Sequence, residues 1–198
     1  MSFRIENKIK LTKSDFNLLK IKLFENGMKN LYPIRKVNSC YFDSSNLNCY
    51  YDSEEGLLPR KKIRVRWYNN TNLYNKETKV SSIEGRFKKS EYLNFKSINQ
   101  LLNHKFYDNL YGCLKPKLIV TYSREYYSFK NIRLTFDYDI TYEDLRSNFN
   151  QSFFDKENVL EIKADIFTSI EKLESLIKVP SSRFSKYCRG ILRTERLI

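Results

Sequence analysis

The sequence predicts an α+β domain organised on an antiparallel sheet, and three observations carry that reading. At least five stretches alternate charged and apolar residues with the two-residue period of a strand. These stretches are separated by turns or by single amphipathic helices. The 198 residues are 41% hydrophobic and 15% aromatic, with only 5 Gly and 4 Pro, so the chain can bury a real core and carries no linker-like tract. One domain spanning residues 1–198, or at most two small ones, follows, with no internal repeat.

Taken in order, Phe3 to Leu11 alternates: Ile5, Ile9 and Leu11 share one face, and Glu6, Lys8 and Lys10 the other. A helix follows, with Thr12 or Ser14 as N-cap, Phe16, Leu19 and Leu23 at helical spacing, and Gly27 as its stop. Residues 36–43 read as a strand ended by the turn Asp43-Ser-Ser-Asn46, and residues 47–59 as an irregular link. Arg60-Lys-Lys-Ile-Arg-Val-Arg-Trp-Tyr68 is the strand around which the chain is organised. It places Arg60, Lys62, Arg64 and Arg66 on one face and Ile63, Val65 and Trp67 on the other. Tyr74 to Val80 and Arg86 to Tyr92 are further strands, the latter rich in Lys and Arg. Ile98, Leu101, Leu102, Phe106 and Leu110 outline a second helix, broken before Pro116, with His104 on it. Lys117 to Tyr127 puts Tyr122, Arg124 and Tyr126 on one side, and Ile132 to Ile140 pairs with it as a hairpin. Tyr142 to Asn158 reads as a polar loop and Val159 to Ala164 as a strand with Glu161 and Lys163 on one face. Ile166, Ile170, Leu173 and Ile177 outline a helix that stops at Pro180, and a last amphipathic helix starts near Ser182. The expectation is about eight strands and four helices.

An open sheet could leave one charged face wet. A closed eight-stranded barrel, apolar outward against helices and charged inward, accommodates the same pattern and is wide enough for a small ligand. A lumen lined with so many cations repels itself when empty and calls for a linear polyanion. The formal net charge of +13 points the same way. No apolar run approaches the roughly 20 residues of a membrane span, and the N-terminus has no signal-peptide core. Cys40, Cys49, Cys113 and Cys188 are scattered, without CxxC, and His104 is the one histidine. That argues against zinc and against Cys–His catalysis, and for reduced thiols in a cytoplasmic protein.

Glu6-Asn-Lys8, Cys40-Tyr-Phe-Asp43, Arg60 to Arg66, Glu77-Thr-Lys79, Tyr122-Ser-Arg124, Arg133-Leu-Thr-Phe-Asp137, Leu160-Glu-Ile-Lys163 and Phe184-Ser-Lys-Tyr187 occur in one order over nearly the whole chain. This series resembles the VTC domain, the polyphosphate polymerase branch of the triphosphate tunnel (CYTH-like) superfamily. The resemblance implies an antiparallel tunnel barrel with a cationic lumen, flanked by helices. It implies transfer of the γ-phosphoryl group of ATP to a growing polyphosphate chain, with Mn²⁺ or Mg²⁺ as cofactor. Carried onto this sequence, Lys8, Arg64, Arg66, Lys79, Arg124, Arg133 and Lys186 would act on the reacting phosphates. Lys62, Lys88 (or Lys89, by register), Tyr122, Ser185, Arg183 and Lys163 would bind substrate phosphate, and Glu161 would hold the metal. Glu161 could instead be a structural carboxylate; Glu6 and Glu77 are expected to orient Lys8 and Lys79, and Asp43 and Asp137 to serve turns or ion pairs.

Three departures qualify the resemblance. The superfamily's opening ExExK has Arg4 at its first acid, which weakens a two-metal hydrolase. Arg183 stands where some relatives carry Lys. The regulatory N-terminal domain and membrane helices of the eukaryotic vacuolar complex are missing from the sequence, so that export route is not expected, and a membrane or export partner stays unassigned. The expected partners are ATP and inorganic polyphosphate, with nucleic acid not expected because the cations alternate along strands instead of forming a stripe with stacking platforms. A triphosphatase or polyphosphatase of the same fold, and a non-catalytic polyphosphate-binding module, are the alternatives.

Overall fold

The computed structural model describes residues 4–146, 151–165, 167, 170–177 and 180–195. The strands are β1 (Arg4–Leu11), β2 (Lys29–Asp43), β3 (Arg60–Tyr68), β4 (Tyr74–Ser82), β5 (Gly85–Leu93), β6 (Phe106–Asp108), β7 (Gly112–Phe129), β8 (Ile132–Asp144), β9 (Ser152–Phe154) and β10 (Asn158–Asp165). The helices are α1 (Lys13–Glu25), α2 (Asn48–Glu55), α3 (Ile98–Leu102), α4 (Glu171–Leu176) and α5 (Lys186–Thr194). Hydrogen bonding orders the main strands β1-β10-β8-β7-β2-β3-β4-β5, with β6 added to β7 and β9 to β8. The expected count of eight is thus the length of the main path. Among the described residues the path has two ends, β1 and β5, with no closing ladder of the kind the barrel expectation required.

Two compact units share this chain. The first comprises Met1–Lys36, Tyr122–Ile140 and Phe154–Phe184; the second comprises Val37–Thr121, Thr141–Phe153 and Ser185–Ile198. In the first, the period-two pattern does what it predicts. Ile9 and Leu11 of β1, Leu134 and Phe136 of β8, and Leu160 and Ile162 of β10 all face one layer, where Phe16, Leu19 and Leu23 of α1 and Leu173 of α4 cover them. Thr12 caps α1, its hydroxyl accepting from the Asp15 amide at 3.1 Å. In the second unit, Ile63 and Val65 of β3 pack with Cys40 and Phe42 of β2, Phe106 of β6 and Leu101 of α3. The charged face of each strand is left on the opposite side.

Several expected elements are corrected. Residues 47–59 contain the helix α2, because the Asp43 carboxylate accepts from the backbone amides of Cys49 (2.9 Å) and Tyr50 (3.0 Å) and so caps it from upstream. The second helix ends at Leu102; Phe106 belongs to β6, paired opposite Leu114 of β7, and His104 lies between the two elements. Pro116 lies inside β7. β2 starts at Lys29, not 36, and β8 runs on to Asp144 and pairs with β9 inside the stretch expected as a loop. Ser185 caps the last helix, so α5 starts at Lys186 and not near Ser182. Phe3 and Ile166 lie outside the described residues, and α4 begins at Glu171.

Candidate functional site: two cation-rich strand faces

In the second unit the antiparallel registers stack charged residues in rows. Tyr41 of β2 is opposite Arg64 of β3, which is opposite Glu77 of β4; the next row sets Lys62, Lys79 and Lys88 directly opposite one another on β3, β4 and β5. Arg66 lies one row the other way, opposite Ser39 and Asn75. Like charges opposite each other in a ladder are destabilising, and here the Glu77 carboxylate offsets part of the repulsion. Glu77, 6% exposed, accepts from Arg64 Nε (2.8 Å) and Nη2 (2.5 Å) through Oε2 and from Lys88 Nζ (2.5 Å) through Oε1, with Arg66 Nη1 at 3.8 Å. Burial alone would raise its pKa, but Arg64, Arg66 and Lys88 hold the carboxyl well below the usual range. Glu77 therefore orders Arg64 and Lys88.

Tyr41 had no assigned role in the sequence, although alternation along β2 places it on this face. Its hydroxyl accepts from Arg64 Nη1 at 3.0 Å, which leaves its own proton to be donated elsewhere. Burial pushes the phenol up, but Arg64, Arg66 and Lys186 outweigh it and bring it below the ordinary tyrosine value. The Tyr41 ring stacks on Tyr187 with centroids 4.9 Å apart. Lys62 Nζ donates to Ser185 Oγ at 2.9 Å, so the capping serine of α5 is tied to β3, with Lys186 next to it as the first helical residue.

In the first unit the corresponding face is built by β1, β10, β8 and β7. Lys8 is opposite Glu161, which is opposite Thr135; Glu6 is opposite Lys163, which is opposite Arg133. Arg124 is buried and grips Asp137 with two bonds of 2.5 and 2.7 Å, and reaches Glu161 Oε2 at 3.1 Å. The Tyr122 ring lies beneath its guanidinium at 5.3 Å. Lys163 Nζ is 3.1 Å from the other oxygen of Glu161. Burial would raise the Glu161 carboxyl, but Arg124, a hydrogen bond with Glu6, Lys163 and Lys8 hold it well below the usual range, so it is ionised. Lys8 Nζ donates to the Phe184 carbonyl at 3.0 Å, and Ser182 N donates back to the Lys8 carbonyl at 2.8 Å, which fixes the segment before α5 along β1. Arg133 and Arg183 are exposed.

The structure thus brings Lys62, Arg64, Arg66, Lys79 and Lys88 together around Glu77 in one unit. It brings Lys8, Tyr122, Arg124, Arg133 and Lys163 together with Glu161 in the other. Lys89 sits opposite Thr78, on the other face of β5 from Lys88, which decides the register choice for Lys88. His104 packs between Phe95 (5.0 Å) and Phe106 (4.6 Å) in the hydrophobic layer. Among the described residues no group of three His, Cys, Asp or Glu side chains is arranged to hold a metal ion, and no helix is long and apolar enough to cross a membrane.

An antiparallel sheet flanked by helices is a fold shared with solved structures. One, described as a candidate adenylate cyclase from Vibrio parahaemolyticus, is 10% identical, with 96% of this chain and 98% of that chain covered and a TM-score of 0.57. Another described in the same way, from Bacillus halodurans, is 15% identical over 100% and 91% of the two chains, at 0.56. A third, an adenylyl cyclase candidate from Hippeastrum described as having a dominant triphosphatase activity, is 15% identical over 99% and 98%, at 0.55. No curated protein sequence matches the chain. The model of the VTC domain matches residues 3–194, and the chain belongs to that family.

Proposed function

We propose that this protein is a polyphosphate polymerase that transfers the γ-phosphoryl group of ATP to a growing inorganic polyphosphate chain. The observation that carries the proposal is the row Lys62–Lys79–Lys88, flanked by Arg64 and Arg66. Rows of Lys and Arg directly opposite one another on neighbouring strands suit a phosphate chain, which presents negative charge at repeated spacing. Membership of the VTC family and the triphosphatase activity described for the Hippeastrum neighbour support a triphosphate substrate.

Phosphoryl transfer depends on positioning and charge stabilisation more than on covalent chemistry by the protein. Arg64 and Arg66 grip phosphate oxygens in pairs through their planar forks, while Lys62, Lys79 and Lys88 act as point charges along the chain. Tyr41 donates its proton to a phosphate oxygen while Arg64 holds the phenol in place. In the other unit Lys8, Arg133 and Lys163, joined by Tyr122, form a face of their own suited to phosphate, and Arg183 lies exposed just before α5. The buried Arg124, gripped by Asp137, fixes Glu161. Ser185 and Lys186 present a hydroxyl and a charge at the start of α5. The attacking terminal phosphate is already anionic, so no general base is needed, in keeping with the packing of His104 among phenylalanines.

Glu161, ionised and bordered by Glu6, fits a divalent ion of the kind that takes one or two protein carboxylates and completes its shell with phosphate oxygens and water. When bound, Mn²⁺ or Mg²⁺ would neutralise charge developing on the transferred group. The two units would work as one VTC-like domain, since β2, β7 and β8 each contribute residues to both. The test is product analysis with ATP and Mn²⁺ on a gel stained for polyphosphate. A ladder of chains that is lost in Glu161→Ala and Arg64→Ala is expected. Free phosphate without a ladder would make the protein a hydrolase, and tight polyphosphate binding without turnover would make it a receptor.

A further inference from the structure

We propose that the concavity between the first half of β2 and the end of β7 seats the nucleobase of a nucleoside triphosphate, giving the phosphate-binding face of the first unit its selectivity for nucleotide over bare phosphate chains. This rests on the triphosphate reading above and adds to it a site for the part of the substrate that carries no phosphate.

The concavity has a volume of about 490 Å³ and is lined by residues 30–34 of β2 and 125–127 of β7. That size falls within the range of small-molecule sites. Tyr32 and Tyr126 meet edge to face at 5.8 Å, and the Arg35 guanidinium lies 5.7 Å from the centre of each ring. Tyr32 is 51% exposed and Ile34 58%, a large apolar and aromatic surface that the fold leaves uncovered. The chemistry of the walls selects the occupant. A cationic ligand is disfavoured, because Arg35 already sits against both rings. The carboxylate in the wall, Glu125, is bonded to Lys20 Nζ (2.5 Å) and to the Tyr127 hydroxyl (2.7 Å). A flat, neutral aromatic group can stack on tyrosine and guanidinium alike. Asn30 carries an amide able both to donate to and to accept from a base edge.

The strand geometry sets the direction of the attached phosphates. Tyr126 shares a face of β7 with Arg124 and Tyr122, one two-residue step of roughly 7 Å beyond Arg124. Arg124 in turn joins Asp137 and Glu161 on the charged face of the same unit. A nucleotide with its base against Tyr32 therefore has its phosphates beside Arg124 and the lysines of that face.

Calorimetric titration of ATP and of inorganic tripolyphosphate into wild type, Tyr32→Ala and Tyr32→Phe tests this. Because Tyr32 is half exposed, the alanine variant is expected to fold, which its circular dichroism would verify. The expected result is an ATP Kd raised by about tenfold in Tyr32→Ala, an unchanged tripolyphosphate Kd, and recovery of ATP affinity in Tyr32→Phe. Equal ATP affinity in Tyr32→Ala and wild type would overturn the proposal, as would parallel loss of both ligands. ATP binding that depends on Tyr32 in a protein indifferent to tripolyphosphate would sink the phosphate reading and keep the base site. Binding of neither ligand would overturn both.

Discussion

Glu77 sets the geometry of the second unit's charged face. Because it is buried and bonded to both Arg64 and Lys88, removing its charge strands cations that were desolvated against it. Glu77→Gln is expected to lower the unfolding free energy at neutral pH by about 3 kcal/mol, read from the urea midpoint. The sign of the pH dependence follows from the depressed folded pKa. The stabilisation is complete above the ordinary glutamate value of about 4.3 and is lost as pH falls through the lower folded value. Wild type and variant should therefore converge in increasingly acid solution; a gap that does not change with pH would remove the ion pair from the account. Tyr41→Phe deletes the oxygen that Arg64 donates to and the proton proposed to reach a phosphate oxygen. A roughly tenfold weaker tripolyphosphate Kd, with a urea unfolding free energy lowered by about 1–2 kcal/mol because Arg64 loses its acceptor, is expected; wild-type affinity would exclude Tyr41 from the site. Alternation in the sequence placed Arg64, Arg66, Lys62 and Glu77 on one face. Which cation Glu77 holds was not legible, because Arg64 is opposite it only once the β3–β4 register is fixed.

At the scale of elements, strands with one charged and one apolar face were legible and helices with distant caps were not. α2 follows Leu47, whose backbone is left-handed (φ 56°) and whose side chain offers no cap. Its amides are satisfied instead by Asp43, at the end of β2, which also accepts from the Tyr187 hydroxyl of α5. One carboxylate thereby joins a strand and two helices. Asp43→Ala should cost about 3 kcal/mol or more by leaving several buried donors unmet, while Asp43→Asn, which keeps an acceptor oxygen, should cost less; equal midpoints for the two would refute the shared cap. α3 was overextended because Phe106 and Leu110 continue a helical spacing by chance, whereas Phe106 completes the second unit's core from β6. Helix α5 allows a test of opposite signs. Helix propensity alone makes Gly190→Ala favourable by up to about 1 kcal/mol. A Cβ there would meet Leu118 Cδ2 at 2.4 Å and Tyr142 Cδ1 at 2.7 Å, both fully buried. Overpacking should win, with a net destabilisation of about 1–3 kcal/mol in thermal unfolding; a higher Tm would mean that α5 does not pack so closely.

For the molecule as a whole, the family series of motifs and the alternating strands made the antiparallel α+β class and the main path of eight strands legible. They did not specify whether the path closes, because closure depends on which strands meet at its ends, and β1 and β5 each carry charges that look the same in either arrangement. The net charge of +13 acquires meaning from its placement: Lys and Arg concentrate on strand faces with Glu77, Glu161 and Asp137 set among them as ordering groups. On the proposed reading, such faces bind a polyanion and support phosphoryl transfer without acid–base residues. The most direct measurement supplies ATP labelled in its γ-phosphate together with a polyphosphate acceptor and Mn²⁺, and follows where the label goes. Label accumulating in the polyphosphate chain, and lost in Arg64→Ala, is the predicted result. Label released only as free phosphate, or remaining wholly in ATP, would contradict it.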